Sequence, residues 1–382
     1  MKNTILNLGV IVIGSLYWKR IAYCISKDKT LILLVALACL SVFWSGYIGD
    51  TFSKLQSLAR STIFGAYLAA RYTIRDQMRL LSWSIIVSSI LSILVCILIP
   101  SFGIEFTEAG AVWKGIFFHK QLLGRTMALG CSLFIVQIFN KDKKRWLNLS
   151  LVIIPLALIL LSNSKSSLIL VLLSIGILSI YNIAKQQSLV RVVISLTMIL
   201  FSASIAYIII DNLEFILVDF LGKGLELNGR VPIWTLALEK IKERYWLGYG
   251  YSAFWQSDAG AYVINNTWLG RQEGSASITA WNAHNGYIEM LVQLGIIGLG
   301  LTIIHMLYLI IKTTKLLILT LTIESLWMLE FLGFIIINNI SGTMTFLSPN
   351  IFWVIHVAVS ISCYTEYSRI HKNKNLTKSH LI

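Results

Sequence analysis

The chain has 382 residues, 56% of them hydrophobic and 13% charged, against about 25% charged residues in a soluble domain. That balance argues against a soluble fold. The net charge of +14 comes without a basic stripe interleaved with aromatics and so gives no ground for a nucleic-acid partner.

Apolar runs of about 18 residues are long enough to cross a bilayer as helices. Taken in chain order, the pattern predicts eleven spans, at 4–18, 30–48, 57–70, 81–99, 122–139, 148–162, 167–184, 191–210, 287–311, 317–338 and 350–366. The first follows Lys2 and imitates a signal peptide, but no small-residue cleavage site precedes Lys19-Arg20, so it reads as a short span. The expected fold is an all-α integral membrane protein of about eleven to twelve transmembrane helices. It forms a single polytopic domain over 1–382 with one large loop at 211–286.

Loop charges test that order independently. One set of loops, with the C-terminal tail, holds nineteen Lys and Arg, from Lys19 and Arg20 through Lys141, Lys143 and Lys144 to Lys378. The short loops on the other side hold four: Lys54, Lys114, Lys120 and Lys165. Basic residues collect on the cytoplasmic side, so the tail is expected inside and the large loop outside.

Within that loop, Asn228-Gly229 reads as a turn, and Pro232 suits the first turn of a helix. From Ile233 to Trp246 the pattern is amphipathic: Ile233, Trp234, Ala237, Leu238 and Ile241 on one face, Glu239, Lys240, Glu243 and Arg244 on another. A helix along the membrane surface or over a cavity is expected. Gly248-Tyr-Gly250 then breaks it, and a flexible stretch is expected to run to Trp281. Five of the twelve tryptophans fall in this loop. Their rings suit sugar faces and interfacial belts equally.

Several chemistries lack their residues. There is no phosphate-binding glycine loop, no HExxH and no Asp-x-Asp pair to hold a divalent metal for a nucleotide-sugar, so catalysis by a soluble activated sugar is unsupported. Cys24, Cys39, Cys96, Cys131 and Cys363 are scattered without CxxC spacing and read as small apolar residues rather than disulfide or metal partners.

What stands out is basic groups on the sparsely charged side. Lys120 precedes Arg125 at the start of the fifth span, Lys165 lies in Ser162-Asn-Ser-Lys-Ser-Ser167, Arg230 opens the loop helix, and Arg60 falls within the third span. Such groups are costly in a membrane and are functional candidates by default. Arg and Lys converging at the surface make an anion site. For each alone, snorkelling to head groups is at least as good an account. His284 is the loop's sole histidine. An imidazole, with an ordinary pKa of about 6.5, is suited to accept a proton at neutral pH, although a lone histidine is more often structural. Glu105 and Glu108 lie in an outer loop. Glu324 and Glu330, in or near the tenth span, are the groups a transporter's proton relay would need.

Six short motifs stand in order around the loop: Leu40-Ser-Val-Phe-Trp44-Ser45, Trp113 to Lys120, Ser162 to Ser167, Gly229-Arg230-Val-Pro-Ile-Trp234, Leu247 to Trp255, and Ala283-His284-Asn285-Gly-Tyr287 followed by Gly295-Ile-Ile-Gly298. Together they resemble the O-antigen ligase and polymerase family of bacterial envelope polysaccharide assembly. The Gly248–Trp255 run is most similar to the exopolysaccharide-polymerase branch. The resemblance implies a GT-C-like helical bundle in the bacterial inner membrane that works without metal or nucleotide. Its partners would be an undecaprenyl-diphosphate-linked glycan, the lipid bilayer and other polysaccharide-assembly proteins. It further implies that Arg230 binds the diphosphate, that Lys165 helps to hold it and that His284 activates the acceptor hydroxyl; Lys120 and Arg125, from the basic cluster, are further candidates for diphosphate binding. Trp234, Tyr251 and Trp255 are candidates for sugar stacking, with Tyr251 and Trp255 four residues apart on a short platform. Gln121 stands where many relatives have Asn, and eleven spans is one fewer than their usual twelve. Three readings remain open: a repeat-unit polymerase, a ligase transferring glycan to the lipid A core, and a lipid-linked-glycan flippase or other transporter.

Overall fold

The structure is a computed structural model that describes residues 16–107, 110–139, 145–184, 230–267, 270, 281–341 and 346–379. Its helices are α1 (16–25), α2 (Lys29–Leu40), α3 (Ile48–Arg71), α4 (Ile74–Leu98), α5 (Lys120–Ile138), α6 (Arg145–Leu161), α7 (Lys165–Ala184), α8 (Arg230–Ile241), α9 (Asp258–Asn265), α10 (Gly286–Thr320), α11 (Ile323–Ser341) and α12 (Ile351–Ser379). One two-stranded antiparallel hairpin, β1 (Ile104–Thr107) with β2 (Gly110–Trp113), pairs Ile104 with Trp113. The protein is an all-α membrane protein. Four helices among the described residues are long and apolar enough to cross a bilayer: α4, α5, α10 and residues Ile323–Ile340 of α11. Lys29–Phe43, Trp146–Leu161 and Lys165–Gly176 are shorter apolar helices.

Nine of the eleven expected spans fall on these helices. The first overlaps α1 at residues 16–18 alone, and its remainder lies outside the described residues, as does the whole of 191–210. Six ends differ by six residues or more: α2 stops at Leu40 rather than 48, α4 starts at Ile74 rather than 81, α11 starts at Ile323 rather than 317, α12 runs to Ser379 rather than 366, and α3 and α10 are longer than expected. The third span, expected as a short 57–70, is the 24-residue α3. The connection expected at 312–316 is helical, because α10 continues to Thr320 and the chain turns at Leu321, in the left-handed region at φ 49°. Lys312 and Lys315 therefore lie on the last turns of a helix.

The sequence reading treated the chain as one domain. The contacts divide it into two compact units, each assembled from separate stretches: 1–71, 196–311 and 338–382 in the first, 72–195 and 312–337 in the second. In the first unit, α3 packs on α12. A Cβ on Gly65 would lie 2.6 Å from the Val354 carbonyl oxygen, so the missing side chain is what lets the two helices approach. Nearby, the buried Trp353 donates its indole N–H to Thr62 Oγ1 at 2.9 Å. In the second unit, α5 is buried along most of its length and packs on α6 and α7.

Helix α10 is interrupted. Gly295 has φ 65° and ψ −167°, a conformation open to glycine and costly for other residues. The break interrupts the helical hydrogen bonds that span Gly295, 296 to 292 and 297 to 293 among them. Unsatisfied backbone groups cost several kcal/mol each in a membrane, and here a loop supplies four partners. Ile296 N and Ile297 N donate to the Tyr245 and Trp246 carbonyls at 3.0 and 3.3 Å. Tyr249 N and Gly250 N donate to the Val292 and Gln293 carbonyls at 2.9 Å each. Gly248, at φ 66°, makes the contact possible: a Cβ there would meet the Gln293 carbonyl at 2.6 Å.

Candidate functional site

The loop expected to be flexible after Gly250 is folded as far as Thr267. Phe254–Gln256 forms a 3-10 turn, and Ser257 caps α9 by accepting from Gly260 N at 3.2 Å. The stretches 268–269 and 271–280, with Trp268, lie outside the described residues. Ile233, Ala237, Tyr249, Phe254, Trp255, Val263 and Ile264 make one buried cluster with Ala283, Ile288 and Val292, and Trp234, Leu236 and Trp281 pack against it. Helix α8 is amphipathic as predicted along Ile233, Ala237 and Ile241. Leu238, placed on the same face from the sequence, is instead exposed.

Three of the six motifs meet here. Trp44 donates its indole N–H to the Leu247 carbonyl at 3.0 Å, Ser41 Oγ accepts from Tyr251 N at 2.9 Å, and Thr51 Oγ1 donates to the Tyr251 carbonyl at 2.9 Å. The end of α2, the Gly248–Trp255 run and the Gly295 break thus form one backbone lattice. On its rim, the Glu243 carboxylate lies 2.8 Å from Lys240 Nζ and 2.9 Å from the Tyr249 hydroxyl, and these partners hold it below the usual carboxylate range. Burial and that carboxylate together push the Tyr249 phenol up.

Arg230 starts α8 and is half-buried, and burial lowers its guanidinium from the usual value. One turn on, Trp234 donates its indole N–H to the Ala283 carbonyl at 2.7 Å. That bond ties the helix of Arg230 to the segment of His284. His284 has φ 51°, a left-handed conformation costing a non-glycine residue about 1–2 kcal/mol. Its amide donates to Asn282 Oδ1 at 2.9 Å. Asn285 caps α10 by accepting from Tyr287 N and Ile288 N at 2.9 and 3.2 Å, and its amide reaches the Ile340 carbonyl at 3.2 Å.

The other basic candidates lie in the second unit. Lys120 begins α5, where its amide donates to Glu105 Oε2 at 3.2 Å, and Lys165 begins α7. Arg125 is 3% exposed. A Cβ on Gly124 would lie 2.6 Å from both Ser164 Cβ and Ser167 Oγ, so the Lys120–Arg125 stretch and the Ser162–Ser167 turn are packed together. Asn163, at φ 49°, makes that turn tight. Two helix N-termini, each with its partial positive charge, thus carry a lysine in one unit.

Other candidates have ordinary partners. Arg60 donates to Ser57 Oγ at 2.7 Å, and Glu324 pairs with Arg75 at 2.6 Å. Tyr251 is 2% exposed and its hydroxyl donates to the Leu347 carbonyl at 2.5 Å. Trp255 is 5% exposed with its N–H on Glu289. Both rings are buried and present no open face for stacking. Trp234 is the half-buried one of the three.

Sequence reasoning missed Glu289 and Gln293. Both are buried, and they are hydrogen-bonded to each other at 2.7 Å. A Glu and a Gln four apart in an otherwise apolar run was the available signal.

The family model for O-antigen ligase matches residues 149–303. Over that stretch the chain is similar to the O-antigen ligase family. It is 25% identical over 268 residues to the exopolysaccharide production protein ExoQ of Rhizobium meliloti (strain 1021), covering 69% of this chain and 60% of that protein. The resemblance read from the motifs is thereby borne out. The matched stretch takes in the Ser162–Ser167 turn, Arg230, the Gly248–Trp255 run and His284. The motifs at Leu40–Ser45 and Trp113–Lys120 lie outside it, yet the first is bonded to the matched loop.

Proposed function

We propose that the chain is a glycosyltransferase of cell-surface polysaccharide synthesis that needs no metal. It would take its glycan from a polyprenyl diphosphate, with its large loop on the outer face of the plasma membrane. The acceptor hydroxyl oxygen forms a bond to the anomeric carbon as the bond from that carbon to the diphosphate oxygen breaks. The lipid diphosphate leaves, and the hydroxyl proton passes to the His284 imidazole. Arg230 meets the charge that grows on the leaving diphosphate with its planar fork. Lys120, Arg125 and Lys165 are assigned to phosphate binding as well. The diphosphate is already a good leaving group, so holding the partners in line and neutralising charge are the main requirements.

The observation that carries this reading is the Trp234–Ala283 hydrogen bond, which couples the helix of Arg230 to the segment of His284 in a chain matched by the O-antigen ligase family. The likeness to an exopolysaccharide production protein favours a repeat-unit polymerase over transfer to the lipid A core. Both reactions use the same donor, so the acceptor distinguishes them.

The test is the glycan pattern of a deletion strain complemented with variants. Arg230→Ala and His284→Ala should leave protein level unchanged and remove long polymer, a loss of at least 100-fold. Arg230→Lys should lose most of it, since a point charge replaces a bidentate fork. Full polymer from His284→Ala would remove the base assignment. Long chains retained on the carrier lipid in the deletion strain would replace the polymerase with a ligase. Repeat units stranded on the inner leaflet would replace both with a flippase.

A further inference from the structure

We propose that Glu289 is a positioning residue that fixes the orientation of His284 through the Ala283 peptide. This deepens the reading of His284 as proton acceptor and rests on it for its catalytic consequence.

Glu289 lies in the first turn of α10, where a carboxylate is favoured by the helix N-terminus, and is 3% exposed. Three donors converge on its two oxygens. Ala283 N reaches Oε2 at 2.9 Å, Gln293 Nε2 reaches Oε1 at 2.7 Å, and Trp255 Nε1 reaches Oε1 and Oε2 at 2.9 and 3.2 Å. Both backbone polar groups of Ala283 are therefore held: its N–H by Glu289 and its C=O by Trp234. The next residue is His284, whose left-handed backbone persists only where its surroundings over-determine it. Ala283 itself is fully buried and contributes no polar side chain. The clamp thus fixes the backbone from which the His284 imidazole projects.

The donors define what position 289 requires. All three are N–H groups, so the site calls for a group that only accepts, which an ionised carboxylate is and an amide is not. Gln293 cannot relieve the conflict by turning its amide over, because its Oε1 already accepts from Ser252 N at 3.1 Å. In Glu289→Gln one amide N–H must face the Gln293 or Trp255 donor, leaving a buried donor unsatisfied. The double variant Glu289→Gln/Gln293→Glu reverses the pair. The new carboxylate accepts from Ser252 N and from the amide at 289, whose oxygen stays with Ala283 and Trp255.

The experiment uses the full chain in detergent and two readouts. The first is the rate of diethyl pyrocarbonate modification of His284, followed by peptide mass spectrometry with the exposed His119 as internal reference. Glu289→Gln should change the His284 rate at least 5-fold with His119 unaltered, and the double variant should return it to within 2-fold of wild type. The second is transfer with the lipid-linked oligosaccharide extracted from the deletion strain. Here Glu289→Gln should lower kcat at least 10-fold with KM within 2-fold, and the double variant should recover most of that loss. Wild-type His284 reactivity in Glu289→Gln overturns the proposal, as does a transfer defect that the double variant leaves in place. Should Glu289→Gln not fold, a double variant that folds with an altered His284 rate also overturns it. If wild type performs no transfer while the His284 rates follow the expected pattern, the glycosyltransferase reading falls and the clamp stands.

Discussion

The two basic groups of this protein are built in opposite ways. Arg230 belongs to a region held by directed hydrogen bonds: a helix broken at Gly295, a loop that supplies four backbone partners across the break, and a buried carboxylate that collects three donors. Lys120, Arg125 and Lys165 belong to a region held by close packing, where Gly124 meets Ser164 and Ser167 with no room for a methyl group. Hydrogen bonds are directional, so the first arrangement fixes angles and suits a residue that must aim at a reacting atom. Small-residue packing fixes distance and lets two helices approach in a membrane. It suits cations that need only lie near a charge.

If that contrast is right, the first region fails when a backbone partner is lost, and the second yields gradually to added volume. The largest effect is expected from Gly295→Val. It forces a β-branched residue to φ 65° and drives its Cβ into the Trp246 backbone. At about 1–2 kcal/mol for the left-handed backbone and several more for each backbone group left unpaired, the loop should undock. Limited proteolysis should cut within 230–267, and transfer should vanish. A variant with wild-type protease resistance would show that the loop does not depend on the break.

Gly124→Val should be milder. Overpacking of this kind costs about 1–3 kcal/mol, so thermal stability and transfer should fall while the protease resistance of 230–267 stays unchanged. Cleavage of the loop in this variant would erase the distinction between the two regions.

The smallest effect concerns acid. Glu243 is held below the ordinary carboxylate value of 4.5 by its bonds to Lys240 and Tyr249. A group depressed in the folded state contributes stability above its unfolded pKa and loses it as the pH falls through the folded value. Loop protease resistance should therefore be flat above about pH 4.5 and decline below it, and Glu243→Gln should flatten the decline. This pair is exposed, and such pairs contribute little. A steep loss between pH 5 and 7 would point to another group.

Much of this was legible in the chain itself. Hydropathy located nine of the described helices to within a few residues at most ends, because a bilayer demands long apolar runs whatever surrounds them. Ile233, Ala237 and Ile241 announced the buried face of α8 by spacing alone. The motifs around Arg230 and His284 sufficed to find the family. Pattern fails where a residue type has two uses. Tyr251 and Trp255 read as a stacking platform because aromatic rings in an exposed loop often bind sugars. The loop has a core of its own that takes in Trp255, and Tyr251 is buried with its hydroxyl on the Leu347 carbonyl.

The sequence by itself determined which segments are apolar helices, which loops are rich in basic residues and which side chains are available for phosphate and proton chemistry. All of these are properties of composition and short-range order. Tertiary structure alone decided that Gly295 splits a helix, that residues 245–250 supply four backbone partners across the break, and that Ala283 is pinned between Glu289 and Trp234. A backbone hydrogen bond carries no side-chain signature. A buried carboxylate is recognised only by the donors that fold around it, and here they come from positions 255, 283 and 293.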